Sequence, residues 1–156
     1  MNELIGNTTP PWNTQSINIK FTPEGGIATR VINDTGAPSI KGTIVHASPN
    51  IDNAVSLVPI DNPDPCGIVY DNGIPNGEYM WIVQHGKAQV LYSTPVTCGT
   101  FSRCPLSADG AGIAGQAINE ALPTPPFATN KHFLEIGHST ESRATPGLAL
   151  IFLHWN

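Results

Sequence analysis

His132, Glu135 and His138 fall at three-residue intervals in the segment HFLEIGH, residues 132–138. Imidazole nitrogens and a carboxylate can hold a transition metal, or work together as an acid–base pair. Spacing decides whether they can meet. On a helix the three would sit within one broad face. Gly137 weakens a helix, however, and Phe133, Leu134 and Ile136 make no single apolar stripe. The histidines are also six apart, where the zinc-protease pattern needs two that are four apart. On a strand, His132, Leu134, Ile136 and His138 share one face, and Phe133, Glu135 and Gly137 share the other. The outer histidines are then about 20 Å apart at ~3.3 Å per residue. In this reading they share no metal and Glu135 points away from both. The segment is expected to be structural, with Glu135 paired to a cation across a strand or a subunit boundary.

Other chemistries find less support. His46, His85, His132, His138 and His154 are dispersed along the chain. Cys98-Gly99 and Cys104-Pro105 have no nucleophile context, and there is no G-x-S-x-G elbow. SADGAGIAG (107–115) is glycine-rich, but no Lys-Ser/Thr pair follows it and no helix opens after it, so it is a weak phosphate loop. Asp52, Asp61, Asp64, Asp71 and Glu78 lie between Lys41 and Lys87 without an intervening Lys or Arg. They show no regular calcium loop and read as solvated loop residues. Lys87 follows His85-Gly86, as a modified lysine follows a hairpin in carrier domains, but its flanking residues differ. It reads as a solvated lysine. No catalytic residue, cofactor or metal is expected, and the chain is expected not to be an enzyme.

The elements that would position these residues are short. The chain has 156 residues, enough for one domain with a real core. Gly and Pro number 15 each and interrupt helices throughout, while Val, Ile and Thr fill the runs between them. The runs are IATRVIN (27–33), IKGTIVHA (40–47), AVSLVPI (54–60), GIVY (67–70), EYMWIVQ (78–84) and KAQVLYS (87–93). Turn signals such as Asp34-Thr35-Gly36 and Asp71-Asn72-Gly73 separate them. EYMWIVQ and KAQVLYS flank His85-Gly86 and predict a hairpin. GLALIFLHWN closes the chain with apolar residues on both faces, which predicts a strand buried on both sides. The expectation is an all-β fold, a single antiparallel β-barrel or sandwich, jelly-roll-like in one form, over residues 27–156. Residues 1–26 read as an extended arm anchored by Trp12.

The net charge is −5 and the seven basic residues form no cluster, so nucleic-acid binding is not expected. No run approaches the length of a membrane span, and the first residues lack the form of a signal peptide. Cys66, Cys98 and Cys104 are odd in number, without a C-x-x-C pair. Free, buried thiols in a protein made in a reducing cytoplasm are the expectation.

The stretch GIVYDNGIPNGEYMWIVQHGKAQVLYSTPVTCGTFSRCPLSADGAG, with HFLEIGHSTES and the closing LALIFLHWN, resembles the capsid decoration or cement proteins of tailed bacteriophages. The resemblance covers residues 67–156, with weaker similarity over 26–66. EIGHSTES and FLHWN carry it best, with Trp155 where the family has phenylalanine. It implies a virion structural protein on the outer capsid surface, a homotrimer whose partner is the major capsid protein. Interface residues expected on that basis are Trp12 in the arm, Phe127 in the proline-rich loop, Glu135, and Phe152 and Trp155 in the tail. A host-surface or glycan-binding module is the alternative. Its mark would be an exposed aromatic cluster from Tyr70, Tyr79, Trp81 and Tyr92.

Overall fold

A computed structural model describes residues 18–61, 64–122, 124 and 134–155. Ten strands form one mixed sheet. They are β1 (Ile19–Phe21), β2 (Gly26–Asn33), β3 (Ile44–Ala47), β4 (Ala54–Leu57), β5 (Gly67–Val69), β6 (Tyr79–Tyr92), β7 (Phe101–Arg103), β8 (Ile118–Glu120), β9 (Glu135–Ser139) and β10 (Gly147–Leu153). The only helical element among the described residues is a 3-10 turn at Ser107–Asp109. The all-β expectation holds. All pairings are antiparallel except that of β2 with β4.

Strand order runs β1-β2-β4-β3-β5-β6-β10-β9-β7-β8, and β2 also pairs with β6. Strands β2, β4, β3, β5 and β6 therefore close a small ring, while β10, β9, β7 and β8 continue the sheet from the far half of β6. Closure removes exposed strand edges from the ring. Alternation supplies two apolar faces. Val31, Val45, Val55, Val69, Met80 and Ile82 draw one cluster from every strand of the ring. Their neighbours Ala28, Ile44, Ile68 and Val83 face the opposite way. They join Ala88, Val90, Tyr92, Ile136, Ala149 and Ile151 in the larger core.

The hairpin expected at His85-Gly86 does not form. Residues 79–92 are one long strand that changes partners midway. Its first half pairs with β2 and β5, and its second half with β10. Gly86 marks the change, with φ of +79° and the Gly25 carbonyl oxygen 2.4 Å from where a Cβ would lie. A glycine of this kind serves a bend as readily as a turn. Lys87 consequently lies within a strand.

β10 lies centrally, paired with β6 on one side and β9 on the other. Within the chain, burial covers one face, and the alternative of burial at a subunit contact is left to the other. Ala149 and Ile151 are fully buried, but Phe152 on the other face is 51% exposed. Of the expected arm, residues 1–17 lie outside the described residues. Ile19–Phe21 pair with Ile27–Thr29 of β2. All three cysteines are free, with Cys104 buried, Cys66 half-buried and Cys98 exposed. Burial pushes the Cys66 thiol up to about 11 and the Cys104 thiol up to about 12. Cys98 departs from the expectation of burial.

Candidate functional site

Among the described residues, three ligand-capable side chains converge where β9 meets the residues after β10. β9 does not run in simple alternation. Phe101 pairs with His138 and Ser102 with Gly137, but Arg103 pairs with Glu135. Ile136 is therefore an extra residue, and Gly137 beside it has φ of +147°. This is a β-bulge. It lets Ile136 enter the larger core while His138, two residues on, emerges beside Glu135. The expectation that Glu135 points away from His138 is thus corrected: alternation slips by one at the bulge.

A third group arrives from a distant part of the sequence. Leu153 pairs with Gly137, and the His154 amide donates to the Ile136 carbonyl oxygen at 3.1 Å. This places the His154 ring on that of His138, with centroids 4.8 Å apart and 28° between planes. His138 Nδ1 and His154 Nε2 are 2.7 Å apart. Glu135 Oε1 lies 3.5 Å from His138 Nδ1 and 3.1 Å from His154 Nε2. The carboxylate is buried, with 4% of its side chain exposed, whereas the His138 and His154 side chains are 41% and 43% exposed. The three ligand-capable atoms all lie within 4.8 Å of one another.

Trp155 fixes the end of this segment. Its indole N–H donates to the Gln84 carbonyl oxygen at 2.7 Å, and its ring packs against the larger core. Phe152 stays exposed, with Lys87 Nζ 4.9 Å from its ring centroid. His132, Trp12 and Phe127 lie outside the described residues.

Sequence reasoning never linked His154 to HFLEIGH. Two signals were available. A glycine inside a strand pattern marks a bulge or a close backbone approach. His154 and Trp155 directly follow an apolar run, and residues that follow a strand can fold against its neighbour.

The aromatics proposed for sugar stacking do not form one open patch. Tyr92 is in the core, with its hydroxyl bonded to that of Ser102. Tyr70 and Trp81 are half-buried and share Lys20, whose Nζ is 4.3 and 4.6 Å from the two ring centroids. Lys41 lies 5.0 Å from Tyr70. Tyr79 is 48% exposed, under the Arg30 guanidinium at 4.4 Å.

No protein-family model matches the chain, and no curated protein does. Among solved structures, the N base of head fibre gp8.5 in bacteriophage phi29 is similar over 81% of this chain and 92% of that one. The TM-score is 0.53 and the sequence identity is 12%. The chain shares its fold with this phage head-fibre base. The likeness to the head-fibre base is one of backbone path, since so few residues are identical.

Proposed function

We propose that this chain is a bacteriophage virion structural protein, a decoration or cement subunit that binds the outer head surface and stabilises the assembled shell. The observation that carries the reading is the fold shared with the base of a phage head fibre. The work is binding and not turnover. A subunit that bridges neighbouring capsid proteins opposes their separation through contact area, at ~25 cal/mol per Å² of apolar surface buried. Repetition over the shell multiplies the effect.

The surface suits that role. Phe21 of β1 pairs directly with Ile27 of β2, and both side chains are exposed. Ile19, two residues before Phe21, adds a third exposed apolar group on the same face. Phe152 is a further apolar contact, and the partner is the major capsid protein. The unit of binding is a homotrimer.

Heads lacking the subunit provide the test. Purified chain is expected to co-sediment with them at saturating, regular stoichiometry and to show a trimer mass by light scattering. Phe21→Asp is expected to weaken the co-sedimentation at least about tenfold without unfolding the chain, because Phe21 is 52% exposed at the edge strand β1. Saturable binding to a glycan array with no binding to heads would instead favour the host-surface reading.

A further inference from the structure

We propose that Glu135, His138 and His154 form a binding site for a first-row divalent transition-metal ion of the zinc class. The donor set is two imidazole nitrogens and one carboxylate oxygen. Imidazole ligands suit zinc, copper, nickel and iron, whereas magnesium and calcium take oxygen ligands. Zinc bonds to His nitrogen and carboxylate oxygen at about 2.0–2.2 Å, so the edges of its tetrahedron are roughly 3.3 Å long. The three donor separations here are 2.7, 3.1 and 3.5 Å. They already bracket that edge. The shortest must open, and the two rings that would turn to admit the ion are each about two-fifths exposed.

Proton counting points the same way. Two imidazole nitrogens 2.7 Å apart cannot both carry a proton without repulsion, so at least one directs a lone pair into the cluster. A cation between them takes both lone pairs and one negative charge from Glu135. The Glu135 side chain is only 4% exposed, so little water competes with a cation for its oxygen. Three protein ligands leave one coordination position on the exposed side, open to water.

The backbone pre-sets the site. The bulge at Ile136-Gly137 brings Glu135 and His138 to one side, and the hydrogen bond that the His154 amide donates to the Ile136 carbonyl oxygen holds the third ligand against them. Trp155 locks the following residue. A bound ion therefore ties β9 to the chain end and stabilises the folded chain by linkage.

Chelator-stripped protein titrated with Zn²⁺ and Co²⁺ by calorimetry and visible absorption tests this. One ion per chain is expected, with cobalt bands of low coordination number, a metal-dependent rise in melting temperature, and no response to Mg²⁺ or Ca²⁺. His154→Ala and His138→Ala are each expected to weaken binding by about a hundredfold or more, as loss of a ligand exceeds the cost of losing an outer-shell partner. X-ray absorption at the zinc edge of the unaltered chain is expected to show nitrogen and oxygen neighbours without sulfur, a readout that needs no variant. The proposal is overturned if binding does not saturate at micromolar metal. It is equally overturned if the His138→Ala/His154→Ala double variant binds as before, or if zinc shows sulfur ligation.

Discussion

Replacing Arg103 with methionine is expected to destabilise the chain by about 3–5 kcal/mol, the cost of breaking a buried ion pair from one side. Arg103 is among the most deeply buried side chains of the molecule. Its Nη1 and Nη2 donate to the two carboxylate oxygens of Asp109 at 2.9 and 2.6 Å. Its Nε donates to Glu120 at 2.5 Å, and Nη1 also reaches the Cys104 carbonyl oxygen at 3.0 Å. One guanidinium thus joins β7, the 3-10 turn and β8. Asp109 closes that turn as well, by accepting from the Leu106 amide at 2.7 Å. Methionine fills similar volume, so the loss comes from carboxylates that no longer face their cation, and not from a cavity. A fall in melting temperature on the order of 10 °C is expected for a chain of this size. The mechanism has its own check. Arg103→Met combined with Glu120→Gln should cost about 1–2 kcal/mol less than the sum of the single changes, because the two side chains share one charge-assisted hydrogen bond. Strict additivity in chemical denaturation would show that the network is not acting as a unit.

Gly137→Ala is expected to cost on the order of 3 kcal/mol, because the residue is held at a backbone angle that L side chains rarely adopt. Space forbids the change as well as angle. A Cβ on Gly137 would lie 1.9 Å from the Phe152 carbonyl oxygen and 3.1 Å from the Leu153 Cα. The strand pair β9–β10 would have to part, or the bulge would have to straighten. Straightening returns strict alternation, so it also carries Glu135 away from His138. Gly147→Ala is a suitable comparison. Its φ is +148°, and the nearest atoms to the added carbon, in the Arg143 guanidinium, are 3.8 Å away, an ordinary contact. The difference between the two variants in denaturant midpoint isolates the steric part. Equal losses would mean that the close approach of β10 contributes nothing.

Most of the strands were legible in the sequence. Runs such as IATRVIN and AVSLVPI alternate or are β-branched, and Gly, Pro, Asn and Asp bound them, so local chemistry and tertiary packing agree. What was not legible depended on partners. At His85-Gly86, a glycine with positive φ is equally consistent with reversal and with a bend. Only the exchange of partners along β6, from β2 and β5 to β10, decides for the bend. In β9 the period of two is a sound rule until a bulge adds one residue, and a single added residue reverses every facing that follows. That is why Glu135 and His138 meet although alternation separates them. His154 lies sixteen residues beyond His138, and no local pattern reports a pairing of that kind. Phe152 shows the opposite limit. Its run is apolar throughout, yet one of its two faces is only partly covered within the chain.

Imaging of phage heads with and without this subunit tests the functional reading most directly. Heads that carry the chain are expected to show additional density at regular positions on the outer surface, at points where capsid proteins meet. Heads from a phage lacking its gene are expected to lose that density and to rupture under milder heating. Identical outer surfaces in the two preparations, with equal resistance to heat, would contradict the assignment to the capsid exterior.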